Sequence, residues 1–270
     1  MCHNRQWLVL LTVSLLAACG GIPDARQLAD RHELLLEQVA GGPFVLPVLL
    51  QPGLLPGRPL HVYLEGDGRP WLQRERAPNP TGRGTIALEL MLADPQPALL
   101  LGRPCYHQQG VPLPPCEPGL WTGGRYSQPV LDALAAALEQ LLAAYQPGSL
   151  VLVGHSGGGV LALLLAQQQT LPTTVVTVAS NLDTAAWTEY HRHLPLRDSL
   201  NPALDIAPGT AFRQVHFAGG LDPVVPPATT ARYRERHPDA EYHLLPGFDH
   251  SCCWVSEWPA LLARVLGADN

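Results

Sequence analysis

Seven short apolar runs, at 44–50, 60–64, 98–102, 149–153, 174–179, 212–218 and 241–245, alternate with stretches of helical periodicity. Strands that alternate with helices along a chain pair side by side in the same direction, with the helices covering the sheet. The pattern therefore predicts an α/β fold with a mostly parallel sheet and helices on both faces. Its clearest helix spans 128–145, where Val130, Leu131, Leu134, Leu138, Leu141 and Leu142 recur at three- and four-residue spacing before Pro147 and Gly148 end it. That stripe is expected to face the sheet. Further helical patterns lie at 84–92, 157–168, 183–193, 227–236 and 257–266, and no internal repeat is visible.

With 270 residues of which 46% are hydrophobic, the chain can bury a core of the size one large α/β domain needs, expected over 32–270. Disorder and a disulfide-only scaffold are excluded. The 17 basic residues against 23 acidic ones give a net charge of −6 with no basic stripe, so no nucleic-acid partner is expected. All the basic residues are arginine, which removes Schiff-base, Ser/Lys and phosphate-loop lysine chemistry. Neither a phosphate-binding loop nor a cluster of metal ligands is visible, so no cofactor and no metal are expected.

At the N-terminus, Arg5 precedes an apolar run of 12 residues, Trp7 to Ala18, too short to span a bilayer as a helix. It reads as a signal peptide, 1–18. The stretch Leu16, Ala17, Ala18, Cys19 looks like a bacterial lipoprotein box, which implies lipidation of Cys19 and a polar tether over 19–31. Gly20 after that cysteine resembles lipoproteins of the outer membrane, so a cell-envelope location facing the periplasm is expected.

The chemistry-bearing motif is Gly154, His155, Ser156, Gly157, Gly158, a G-x-S-x-G pattern between the strand ending near 153 and the helix starting near 157. In a turn that sharp the outer glycines must lack Cβ atoms, and the serine is held in a strained conformation with its hydroxyl above the sheet. A serine hydroxyl is a weak nucleophile, so it needs a histidine to take its proton and an acid to orient that histidine. His250, in the loop after the last strand, is the candidate base. His155 shares the tight turn and is expected to point away, while His237 and His243 look structural. Asp222, just past the strand at 212–218, is the candidate acid, with Asp183 and Asp249 as rivals.

The order Ser156, Asp222, His250, each just past a strand, resembles the α/β-hydrolase superfamily over residues 33–267. The resemblance implies an α/β-hydrolase fold and an oxyanion hole, formed by the backbone N–H groups of Asp67 and Gly157. Here Glu65 stands where such proteins commonly carry histidine, and the Asp67 carboxylate has to turn away from a developing oxyanion. More narrowly, Glu65 to Gly68, Trp71, Trp121, Arg125 and the run Ser199 to Pro202 are similar to poorly characterised bacterial α/β-hydrolase lipoproteins.

The loop 103–125 carries five prolines and is expected to form a stiff pocket wall. Within it Cys105 and Cys116 are the favoured disulfide, although Cys252 and Cys253 leave three connectivities open. Trp71, Trp121, Trp187 and Trp254 either line the pocket or pack in the core. Arg74, Arg76 and Arg125 either hold an anionic group or sit on a solvated face. Together these features predict a lipid-anchored serine hydrolase that cleaves carboxylic esters of a small acyl substrate through an acyl-enzyme, with only a small lid from 103–125 and 183–202. A peptidase, amidase or acyltransferase would use the same three residues, and a non-catalytic envelope scaffold is the reading from another class.

Overall fold

Eight strands share one sheet in the computed structural model, which describes residues 22–82 and 85–267. In chain order they are β1 (Leu35–Gly41), β2 (Phe44–Leu50), β3 (Pro59–Leu64), then, after a small hairpin of β4 (Trp71–Leu72) and β5 (Glu75–Arg76), β6 (Ala98–Leu101), β7 (Ser149–His155), β8 (Thr173–Val178), β9 (Arg213–Gly219) and β10 (Glu241–Leu245). Across the sheet the order is β1-β2-β6-β3-β7-β8-β9-β10. From β6 to β10 every neighbouring pair is parallel, whereas β1 and β2 join antiparallel at one edge.

The helices are α1 (Ala25–His32), α2 (Ile86–Leu92), α3 (Gln128–Tyr145), α4 (Gly157–Ala166), α5 (Thr184–Tyr190), α6 (Pro202–Asp205), α7 (Ala231–Arg236) and α8 (Trp254–Leu266). Strand residues alternate between two cores, as the pleat demands. Val62, Leu64, Leu150 and Leu152 face α3 and α4, while Tyr63, Val151, Val153 and Val176 face α2 and α8. On α3 the stripe Val130, Leu131, Leu134, Leu138 and Leu141 is buried, each side chain contributing about 1.5–3 kcal/mol by leaving water. Tyr63 ties α8 to the sheet, since its hydroxyl accepts from Trp258 Nε1 at 2.8 Å and donates to Asp94 at 2.6 Å.

Besides the β4–β5 hairpin and α6, which the sequence reading does not mark, two elements depart from it. The tether expected over 19–31 is helical from Ala25: Asp24 caps Gln27 N at 2.9 Å, the Gln27 side chain accepts from Asp24 N, and Leu28 and Ala29 are buried against the sheet. Cys19 and the signal segment lie outside the described residues. Strand β1 is an addition at 35–41, where the short run Leu34 to Leu36 gives way to the mixed residues 37–41 and this edge strand exposes most of its side chains. Among the described residues no helix is long and apolar enough to cross a membrane.

Candidate active site

Five loops converge beyond the C-terminal ends of β3, β7, β8, β9 and β10, where a parallel sheet presents its crevice. Ser156 follows β7 at φ 55°, ψ −124°, a conformation a side-chain-bearing residue rarely adopts. Neighbouring backbone holds it there, its N–H donating to Val178 O at 2.9 Å. A Cβ on Gly154 would come within 2.3 Å of the Gly158 carbonyl group, and one on Gly158 within 2.1 Å of Leu64 O. The two outer glycines are thus demanded by backbone contact.

His250 follows β10, with its Nε2 3.1 Å from Ser156 Oγ and its Nδ1 2.8 Å from Asp222 Oδ2. A carboxylate can only accept, so Nδ1 carries the proton and Nε2 presents its lone pair to the serine hydroxyl. Asp222 is buried, and its other oxygen accepts from the N–H groups of Val224 and Val225, both at 2.8 Å. Those two bonds leave Oδ2 aimed at the imidazole. The rival acids have other partners. Asp183 caps α5 and binds Arg232 and Asn201, and Asp249 accepts from Ser251 N and Cys252 N at 2.7 Å each, shaping the loop that carries His250.

His155 corrects the sequence reading, because its ring does not point away. It lies 5.0 Å from the His250 ring, and its Nε2 donates to the His250 carbonyl at 3.0 Å. Burial, reinforced by the neighbouring His250, lowers its pKa to about 4, so this donor is neutral near pH 7. His237 stacks on Tyr233 and His243 on Phe217, both away from the site.

After β3 the chain turns through Gly66 and Asp67 directly beside the serine. Neither the Asp67 nor the Gly157 amide donates to another described residue, and both residues line the same cavity as Ser156. The Asp67 carboxylate is turned into a buried cluster. Arg103 Nη1 donates to Oδ1 at 2.8 Å, and Arg125 Nη1 and Tyr126 OH donate to Oδ2 at 2.9 and 2.7 Å. Burial raises this carboxyl, but the Arg125 and Arg103 guanidiniums override it and bring the pKa down to about 2. Glu65 meets His107 Nε2 with both oxygens at 2.8 Å, a buried pair whose attraction outweighs the effect of burial and raises the histidine.

Solved structures resemble this arrangement of sheet and helices. A serine hydrolase without lid from Xanthomonas campestris matches over 88% of this chain and 97% of its own, with a TM-score of 0.55 and 13% identity. The chain has the α/β-hydrolase fold. An esterase of Pyrococcus furiosus matches 87% of the chain and 91% of its own at 12% identity and TM-score 0.58. A puromycin-hydrolysing peptidase of Mycobacterium tuberculosis matches 87% of the chain but 39% of its own, at 17% identity and TM-score 0.57. No family model and no curated protein matches the chain.

The crevice of this α/β-hydrolase fold is a cavity of about 460 Å³ lined by Leu28, Ile86, Tyr126, Trp187, Val224 and Val225 around Ser156, His250 and the 65–70 turn. Of the four tryptophans singled out, Trp187 lines it, while Trp121 and Trp254 are core and Trp71 lies in the exposed β4–β5 hairpin. Arg125 faces the cavity but is engaged by Asp67, and Arg74 and Arg76 belong to that hairpin. The two segments expected as a lid are stitched to each other: Ser199 Oγ donates to Gly123 O at 2.8 Å and accepts from Tyr126 N at 3.0 Å. Cys105 is bonded to Cys116 with an S–S distance of 2.13 Å, and Cys252 to its neighbour Cys253. Among the described residues no group of three His, Cys, Asp or Glu side chains could hold a metal ion. Sequence reasoning missed Arg103, Tyr126 and Asn181, which no short motif marks.

Proposed function

We propose that this chain is a serine hydrolase that cleaves carboxylic esters through an acyl-enzyme. The observation that carries the reading is the line of hydrogen bonds from Ser156 Oγ through His250 to Asp222, opening on a cavity whose wall holds the Asp67 and Gly157 amides. Ser156 Oγ attacks the ester carbonyl carbon as its proton passes to His250 Nε2. The carbonyl electron pair moves onto oxygen, where the two amides at the start of α4 and after β3 receive the charge. Collapse of that intermediate breaks the bond to the leaving oxygen, which departs as the alcohol with the proton from Nε2. Water then gives a proton to His250, attacks the acyl carbon and releases the acid, restoring Ser156. Asp222 holds the imidazolium in both halves. The two guanidiniums around Asp67 neutralise a carboxylate that would otherwise oppose the oxyanion.

Labelling by a fluorophosphonate probe, with Ser156→Ala alongside, tests the reading, together with hydrolysis of acyl esters of graded chain length. Labelling confined to the wild type supports an activated nucleophile, and an unlabelled, folded wild type overturns it in favour of a binding scaffold. A matched ester and amide of one acyl group separate an esterase from an amidase. We also propose lipid attachment at Cys19, supported by the box at 16–19; palmitate incorporated by the full chain in a bacterial host and lost in Cys19→Ala would test it.

A further inference from the structure

Arg103 and Arg125 bring two positive charges to the single carboxylate of Asp67, and among the described residues neither guanidinium meets another acid. Arg103 turns its donors inward: Nη1 reaches Gly66 O and Asp67 Oδ1, Nη2 reaches Arg125 O at 2.7 Å, and Nε is sealed from solvent. Arg125 is arranged differently. Its Nε donates to Thr122 O at 2.7 Å and its Nη1 to Asp67 Oδ2 at 2.9 Å, but Nη2 donates to no described residue. Unlike Arg103 Nε, that nitrogen is not shut away from solvent, and Arg125 lines the cavity that holds Ser156 and His250.

The surplus charge of the cluster is therefore presented at Arg125 Nη2. Glu65, the other carboxylate in the cavity wall, is matched by His107 and offers it nothing. The charge is also felt on the Trp187 side: burial, then His191, then Arg125 lower His193, whose ring packs 5.3 Å from that of Trp187. Around this donor the cavity is largely apolar, with Ile86, Tyr126 and Trp187 in its wall. A wholly apolar substrate arm lying over Nη2 would strip its water and leave part of a charge unpaired, whereas a carboxylate would close a charge-assisted hydrogen bond in a place poor in water.

We infer that Arg125 is a specificity-determining residue, and that the substrates are esters bearing a carboxylate on the arm that lies against it. This rests on the ester-hydrolase reading. The test compares kcat/KM at pH 7.5, followed by acid release, for two matched pairs: monomethyl glutarate against methyl pentanoate, and 3-butyryloxypropanoate against propyl butyrate. The first pair places the carboxylate on the acyl arm and the second on the alcohol arm. Wild type is expected to prefer the anionic member of one pair about tenfold or more, and Arg125→Gln to bring that ratio to about one. A ratio within one protein cancels any loss of folded enzyme, and fluorophosphonate labelling of Ser156 reports that the site has assembled. Arg125→Lys repeats the comparison with a charge kept for Asp67; its compact ammonium cannot fork to a second anion, so the preference should fall there too. Arg69→Gln, which removes the exposed guanidinium at the same wall, should leave the ratio unchanged. No preference in either pair, a preference unchanged in both Arg125 variants, or one that disappears with Arg69 overturns the inference while leaving the hydrolase reading intact. A wild type that takes no label overturns both.

Discussion

Replacing Asp67 by alanine leaves Arg103 and Arg125 with no counter-charge, in places where their side chains are 1% and 6% exposed. Three hydrogen bonds end on the carboxylate, and removing one partner of a buried ion pair costs about 3–5 kcal/mol. Against a domain stability of about 5–15 kcal/mol, the loss is large enough to read directly from urea unfolding followed by tryptophan fluorescence. The midpoint should fall with little change in slope. A second arm uses pH. Burial pushes this carboxyl up and the two arginines more than reverse it, so its folded pKa of about 2 lies below the model-peptide value of 3.8. A depressed carboxyl stabilises the fold fully above the unfolded value and loses that contribution as the pH falls through the folded one. The gap amounts to about 2–3 kcal/mol, withdrawn between about pH 4 and pH 2. Asp67→Asn, which cannot titrate, should therefore flatten the acid limb of the stability curve by that amount. An Asp67→Ala protein within about 1 kcal/mol of wild type, or an acid limb unaltered in Asp67→Asn, would refute the reasoning.

The remaining expectations concern the serine and its supports. Asp222→Asn offers His250 a donor where it needs an acceptor, so ester turnover should fall about 10³–10⁴-fold, measured as kcat with the protein still folded by circular dichroism. His155→Phe keeps a ring beside His250 but removes the N–H that holds its carbonyl. We expect kcat to drop about threefold to tenfold with KM steady and, because His155 is neutral above a pKa of about 4, the pH profile between about 5 and 8 to keep its shape. Substituting both Cys105 and Cys116 by serine opens a loop whose ends are 11 residues apart, and thermal unfolding should report a loss of about 3 kcal/mol. Gly158→Ala places a Cβ against Leu64 O, so fluorophosphonate labelling of any soluble product should vanish.

The parts of this molecule that could be read from the sequence are those with local signatures. Continuous apolar runs mark most of the parallel strands, and the 3.6-residue period marks the long helices. The glycines around Ser156 are obligatory at a strand-to-helix turn, and position after a strand end points to His250 and to Asp222, with Asp183 as a rival that the same criterion admits. What stayed hidden depends on contacts between distant segments. Asp67 meets Arg103 and Arg125 from 36 and 58 positions away, so nothing near Asp67 announces that its charge is neutralised. Helix α1 is short and largely polar, and what makes it a helix in place is its capping box and the docking of Leu28 and Ala29. His155 reaches His250 across 95 positions of chain because the loop after β10 folds back over the turn that carries Ser156.

Strand β10 bounds the sheet on the side opposite β1, pairs among the described residues with β9 alone and leaves its side chains partly or fully open to solvent. Elements of that kind open locally at a fraction of the free energy needed to unravel the centre. His250 hangs from the loop that β10 feeds, whereas Ser156 is seated on the interior strand β7. A brief detachment of the margin would part the imidazole from the hydroxyl while the body of the protein stays intact. On a warming protein the chemistry would then fade ahead of the melt, so residual turnover would be a more sensitive gauge of that margin than any spectroscopic signal from the core.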